Sequence, residues 1–313
     1  MNAAWSAEEA LARHTGGRLR VPDLFSRQYL FRQNRIARWI RKGSPGFGQD
    51  ALLFDFGREV VIFLMWCDKM VSEVLKSPGR RKWLYIFDSW EPDWNAVEVF
   101  LQSATNVGAV FFSSSQAAAH FDAILEVPVL WCPQAADPKE FNSVSGSAER
   151  LPQILNIGRA NRTLGEFFRG FSGRSGLALL SQNETMDILF PDRASFVQAL
   201  GRSRIVVVHP RDMDAPEQTG SVSMLTARYF EAFMSGAVVC GFKPRSGEFE
   251  QVFREYPFVE YRDPGSFERD LLEELGRPER WASARERALE EHSWDARARL
   301  IAVQIANVIG RSH

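Results

Sequence analysis

Short apolar runs alternate with longer segments of helical period along most of the chain. In the first half the runs ALLFDF (51–56), VVIFLMW (60–66), KWLYIFD (82–88), GAVFFSS (108–114) and PVLWC (128–132) read as strands. The segments DWNAVEVFLQSA and SQAAAHFDAIL between them carry helix spacing instead. The second half restarts the pattern with PQILNIG (152–158), LALLSQ (177–182), DILF (187–190), RIVVVHP (204–210), AVVCGF (237–242) and a short FVEYRD (258–263). Nearly continuous apolar strands alternating with helices are strands buried on both faces, so the expected class is α/β with mostly parallel sheets.

The polar, Ser-rich stretch NSVSGSAER (142–150) interrupts this alternation and is the natural linker. It predicts an N-terminal Rossmann-like domain over 1–145, opened by a mostly helical arm at 1–42. A second Rossmann-like domain follows over 150–290, and a terminal helix over 291–313 packs back toward the first. Two such domains in series form a cleft, and in open α/β sheets ligands sit beyond the carboxyl ends of the strands.

At 313 residues the chain fits two domains. Its net charge of −1 gives no global pull on nucleic acid or an anionic membrane, so a charged partner must meet a local patch. No apolar run is long enough to span a bilayer, and the acidic start MNAAWSAEEALARHTGG lacks the features of a signal peptide, so a cytoplasmic protein is expected. Cys67, Cys132 and Cys240 stand singly and suit buried filler rather than disulfides or metal ligation. The five histidines are equally dispersed, and no structural metal is expected.

Two stretches carry candidate chemistry. In LNIGRANRTLGEFF (155–168), Gly158 permits a tight turn and Arg159 and Arg162 precede a helix. Free N–H groups and the positive helix end there suit an anion, and the guanidiniums suit a diphosphate. The plain alternative is a βα turn with solvated arginines. In HPRDMDAPEQTGSVSMLTARYFEAFMSGAVVCGF (209–242), a polar loop leads to a helix expected from Ser223 to Ser235 and capped by Gly236. Arg228 and Glu231 share a face of it. The pair is either an intrahelical ion pair or the place where a carboxylate accepts ribose hydroxyls.

Four stretches in register resemble the group 1 glycosyltransferases, and most nearly their spore-maturation-type (CgeB-like) branch. They are Gly158-Arg159 after the first strand of the second half, RYFEAFMSGAVVCGF (228–242), Pro133/Asp137/Phe141 in WCPQAADPKEF, and His292/Ser293/Trp294/Arg297 in HSWDARARLIAVQI. The resemblance covers about 110–310. It implies the GT-B arrangement, two Rossmann-like domains facing across a cleft, with a nucleotide-diphosphate sugar held mainly by the C-terminal domain. By position Glu231 would take the ribose hydroxyls, Gly158 and Arg159 the diphosphate, and Arg162 the place of a phosphate-binding Lys. Arg228 would line the same pocket, and Lys243, Ser246 and Gly247 in GFKPRSGEFE (241–250) would lie near the sugar or phosphates. The implied enzyme is a hexosyl- or related transferase that needs no metal or other cofactor, with retention expected and inversion left open. A glycan or glycolipid-type acceptor and a place in polysaccharide biosynthesis go with it.

One departure stands out. Many group 1 enzymes carry Glu-x7-Glu, and the position of the first Glu is Ser223 here. A catalytically silent protein that binds nucleotide sugars, or a scaffold of the same fold, is therefore the competing reading.

For the acceptor side, FDSWEPDW (87–94) follows a strand and brings Asp88, Glu91 and Asp93 together with two tryptophans. Asp88 at the strand end is the candidate general base, with Asp55 and Asp68 behind it. The plain alternative is a surface loop of acids and aromatics. Finally, LFSRQYLFRQNRIARWIRKG (24–43) reads as a basic amphipathic helix. From Arg18 to Lys42 it sets eight basic residues against Asp23. It could rest on the inner face of a membrane or hold an anionic acceptor, or simply pack with a solvated basic face. Nucleic acid is not an expected partner.

Overall fold

The computed structural model describes residues 18–20, 52–56, 59–64, 81–142, 150–151, 153–156, 161–181, 189–190 and 192–311. These fall into two compact units. One spans Gln134–Ala296. The other holds the described residues up to Pro133 together with those from Arg297 onward.

In the N-terminal unit six strands run in the order β1-β2-β3-β4-β5-β6. They are β1 (Arg18–Arg20), β2 (Leu52–Phe56), β3 (Glu59–Leu64), β4 (Arg81–Ile86), β5 (Val107–Phe112) and β6 (Val129–Trp131). β3 to β6 are parallel, and β1 and β2 add an antiparallel edge. Helices α1 (Trp94–Gln102) and α2 (Ser115–Asp122) make the crossovers. Ser114 caps α2 by accepting from the Ala117 N–H at 3.3 Å. Leu84, Ile86, Val110 and Phe112 pack on Val97, Phe100 and Phe121, with the Phe112 and Phe121 rings stacked at 4.7 Å.

Within the arm expected to be helical, Arg18–Arg20 is a strand. Its pairing with Leu53–Asp55 gives the edge of the sheet a hydrogen-bonded partner, which outweighs local helical spacing. The 24–43 segment, Cys67 and Asp68 lie outside the described residues.

The C-terminal unit is a five-stranded, all-parallel sheet in the order β11-β10-β9-β7-β8. Its strands are β7 (Gln153–Asn156), β8 (Ala178–Ser181), β9 (Ile205–Val208), β10 (Val238–Gly241) and β11 (Val259–Glu260). Its helices are α3 (Pro138–Asn142), α4 (Arg162–Ser175), α5 (Arg193–Arg202), α6 (Pro216–Thr219), α7 (Ala227–Ser235), α8 (Glu248–Val252), α9 (Pro264–Leu275) and α10 (Pro278–Glu291). A last helix, α11 (Trp294–Arg311), starts in this unit and runs on into the other. Of the expected strands, DILF is not seen: Leu189 and Phe190 are outside any strand, and Asp187 and Ile188 are outside the described residues.

β9 and β10 lie in near-continuous burial, as their sequences require. Gly241 ends β10 with φ +134°, and a Cβ there would stand 1.9 Å from the Val208 carbonyl oxygen. The strand pair can close only with glycine at that position.

The two crossings between units are tied within each unit. Arg297 Nε donates to the Pro133 carbonyl at 3.0 Å, and Ala136 forms a parallel bridge with Ser293. Ser293 Oγ also accepts from the Ala296 N–H at 3.1 Å. His292 is buried against Phe253, Tyr256 and Phe230.

Candidate functional site

In the C-terminal unit α4, α5 and α7 all begin at the carboxyl ends of the strands, so their free N–H groups face that edge of the sheet. Each start has its own stop signal. Asn161 caps α4, its Oδ1 accepting from the Leu164 N–H at 3.1 Å. Asp192 caps α5 through the Ser195 N–H at 2.7 Å. At α7, Thr226 makes no side-chain cap, and Gln134 Oε1 accepts from the Ala227 N–H at 3.0 Å instead.

Helix α7 starts at Ala227, four residues later than Ser223, the expected first residue. Two side chains hold the preceding segment extended. Ser223 Oγ accepts from the Arg245 N–H at 2.9 Å, and Glu248 Oε2 accepts from the Leu225 N–H at 2.7 Å. Both side chains are buried. Local hydroxyl and carboxylate bonds to the backbone compete with helix here and win.

Glu231 lies one turn into α7 and is 6% exposed. Arg193 Nη1 donates to its Oε1 at 2.5 Å. Arg228 Nη1 stands 3.2 Å from its Oε2. Arg193 Nη2 donates in turn to Glu140 Oε2 on α3 at 2.6 Å. Both guanidiniums lie over the Phe196 ring, at 4.3 Å for Arg228 and 5.3 Å for Arg193. Burial works against the Arg193 charge, yet Glu231 and Glu140 outweigh it and hold its pKa above the ordinary value. For Arg228 burial dominates the pull of Glu231, and with the nearby Arg193 charge it lowers the pKa. The structure thus brings Arg228 and Glu231 together as a pair, inside a four-membered network of two acids and two bases.

Beside this network a second cluster follows β9. His209 Nε2 bonds Asp214 Oδ2, and Asn161 Nδ2 donates to Asp214 Oδ1 at 3.2 Å. His209 Nδ1 is buried with no hydrogen-bond partner among the described residues. Asp212 Oδ2 accepts from Arg245 Nη2 at 2.8 Å. Tyr229 O–H donates to the Phe242 carbonyl at 2.7 Å. Burial, followed by Asp212, Asp214 and Glu248, raises the pKa of that phenol well above its usual value.

The other residues singled out in the sequence are more scattered. Gly158 and Arg159 lie outside the described residues. Arg162 is the first residue of α4, its side chain 90% exposed and paired with Glu166 at 2.8 Å. Lys243 reaches Glu250 at 3.1 Å and Glu260 at 3.7 Å, over the Phe249 ring. Ser246 Oγ accepts from the Glu248 N–H at 3.3 Å. Gly247 has φ +75° ahead of α8.

In the N-terminal unit Asp88 follows β4 with φ +46°, a left-handed conformation that is uncommon without glycine. Its N–H donates to Ser113 Oγ at 3.1 Å. Asp55 lies within β2, in register with Val60 and Arg18. Among the described residues no group of three or more His, Cys, Asp or Glu could hold a metal ion. None of the described helices is long and apolar enough to cross a membrane.

Arg193, Glu140, His209, Asp214 and Asn161 were missed in the sequence reading. Asn161 and Asp192 did carry a local signal, a capping residue just ahead of a helical segment. The Arg193–Glu231 pairing bridges 38 positions and has no local signature.

No protein of curated function matches the chain in sequence. Among solved structures, the Glycosylation Associate Protein (Gap123) complex from Streptococcus agalactiae is similar with a TM-score of 0.52 and 10% identity. That match covers 79% of this chain and 54% of that one. A UDP-forming α,α-trehalose-phosphate synthase from Burkholderia xenovorans gives a TM-score of 0.46 at 9% identity, over 77% of this chain and 76% of its own. A glycosyltransferase from Rickettsia africae gives 0.47 at 10%, over 77% and 80%. At these identities the likeness is one of α/β fold. The sequence family described as "Glycosyl transferase-like" matches residues 184–302. That stretch is therefore glycosyl transferase-like in sequence, and it holds Arg193, Arg228, Glu231, Lys243, Ser246 and Gly247.

Proposed function

We propose that this chain is a glycosyltransferase that moves a sugar from a nucleotide-diphosphate donor to a glycan or glycolipid-type acceptor. The observation that carries the proposal is the family match over 184–302, laid on an all-parallel unit whose carboxyl-end loops and helix starts hold the candidate residues. In this reading Glu231 accepts the ribose hydroxyls. A carboxylate offers about four acceptor positions. Arg193 and Arg228 each engage one oxygen, which fixes the carboxylate and leaves acceptor capacity for the sugar.

The leaving diphosphate is stabilised by the N-terminal ends of α4 and α7 and by basic side chains, with Gly158, Arg159 and Arg162, which follow β7 in the sequence, as its contacts. No metal is then required, because fixed dipoles and guanidiniums supply the positive charge where it develops. Lys243, Ser246 and Gly247 would sit on the sugar side. Asp88 is proposed as the acceptor base if the reaction inverts; with retention, its part is to orient the acceptor hydroxyl. Backbone strain at a strand end is common where function demands it.

A second reading has its own observation. Ser223, at the position of the missing acid, is buried and bonded to the Arg245 amide. It suits a protein that holds a nucleotide sugar without transferring it. Donor hydrolysis and transfer across a panel of nucleotide sugars, with and without EDTA, decides between them. Turnover that survives EDTA supports the first reading, tight binding without turnover the second, and neither binding nor turnover rejects both.

A further inference from the structure

A cavity of about 420 Å³ opens at the amino-terminal ends of β9 and β10, between the end of α7 and helices α9 and α10. It lies at the opposite end of the sheet from the loops described above. Strands of four residues separate the two edges by about 13 Å of backbone.

Arg150, Arg204 and Arg285 line this cavity. Arg150 Nη1 donates to the carbonyls of Gly201 at 3.2 Å and Ser203 at 2.8 Å, and its Nη2 donates to Ser235 at 3.0 Å. Alone it would be a cap for the ends of α5 and α7. Arg285 Nη2 donates to the Phe141 carbonyl at 3.0 Å. The exposed Arg204 side chain makes no hydrogen bond among the described residues, and none of the three pairs with a carboxylate there. Two acids share the lining, Glu274 and Glu286. Glu274 is already taken by Arg280 at 2.5 Å, Arg277 at 3.3 Å and the Trp281 indole at 3.0 Å.

Three guanidiniums thus gather around a space where one of the two acids, Glu286, makes no ion pair among the described residues. Their mutual repulsion shows at Arg150, whose pKa is lowered by burial and then by Arg285 and Arg204. Gly236 makes the gathering possible. A Cβ there would stand 2.8 Å from Arg285 Cδ and 2.9 Å from Arg150 Nη2.

We propose that this cavity is a second binding site, for a small phosphorylated molecule held by Arg150, Arg204 and Arg285. Guanidinium forks match phosphoryl oxygens bidentately, and the volume is that of a small-molecule site. The site is separate from the proposed donor pocket and does not depend on it.

Calorimetric titration with pyrophosphate tests it on the full chain. Wild-type protein should bind saturably, and Arg204→Ala should weaken binding about tenfold or more. Arg204 is exposed, so the fold should survive; Arg204→Gln serves if the Ala variant melts early. Arg169→Ala, an exposed change on α4 at a residue with no part in either site, should leave the affinity unchanged. No saturable binding, wild-type affinity in both Arg204 variants, or an equal loss caused by Arg169→Ala would overturn the proposal.

Discussion

Arg193 joins Glu231 to Glu140, donating from Nη1 to one carboxylate at 2.5 Å and from Nη2 to the other at 2.6 Å. One side chain therefore ties α3, α5 and α7 together beneath the proposed donor pocket. Removing it leaves two partly buried carboxylates without their shared partner. Arg193→Met should lower the unfolding free energy by about 3–5 kcal/mol, read from urea denaturation. Arg193→Lys should recover only part of that, because a point charge cannot fork to both acids.

Ser223 is a position where a Glu introduced by substitution should fail. Its hydroxyl accepts the Arg245 N–H from a buried position. Ser223→Glu would force a larger, charged side chain into that space and break the tie. The expected outcome is a loss of about 2–4 kcal/mol and no gain in turnover. A Ser223→Glu protein as stable as wild type and faster would show that the loop is open to the donor sugar.

Gly241→Ala should be among the most damaging single-methyl changes in the chain. The added carbon would meet the Val208 carbonyl at 1.9 Å, with the backbone at a φ that side chains rarely adopt. A cost of at least about 3 kcal/mol is expected, visible as an earlier thermal transition.

Much of the scaffold was legible because strands buried on both faces announce themselves. The runs at 204–210 and 237–242 became β9 and β10, and Gly236 became the left-handed cap of α7. What failed depended on distant partners. The start of α7 moved to Ala227 because Glu248 and the Arg245 amide, more than 20 positions away, hold 223–225 extended. The strand at Arg18–Arg20 needed Leu53–Asp55 to exist. At the candidate site the Arg228–Glu231 pair followed from helical spacing. Arg193 and Glu140 did not, since nothing local marks a side chain that bridges two other helices.

The cysteines offer a check on the interior. Cys132 and Cys240 are buried and free of disulfides. Burial pushes the Cys132 thiol up to about 12, with Arg297 pulling weakly the other way, and pushes Cys240 well above its usual value. A raised thiol pKa means the unreactive protonated form persists at pH 8, with about one Cys132 in ten thousand as thiolate. Peptide-level alkylation at that pH should spare both residues in the native protein and label both after denaturation.

The central claim is that the C-terminal unit binds a nucleoside diphosphate through Glu231. Titrating UDP, GDP and ADP, with CMP for comparison, into wild-type protein and into Glu231→Gln tests it most directly, with circular dichroism to verify that the variant is folded. Saturable binding of one nucleoside diphosphate by the wild type, weakened about tenfold or more in the variant, is the predicted result. A folded Glu231→Gln protein that binds the same nucleotide as tightly as wild type would contradict it.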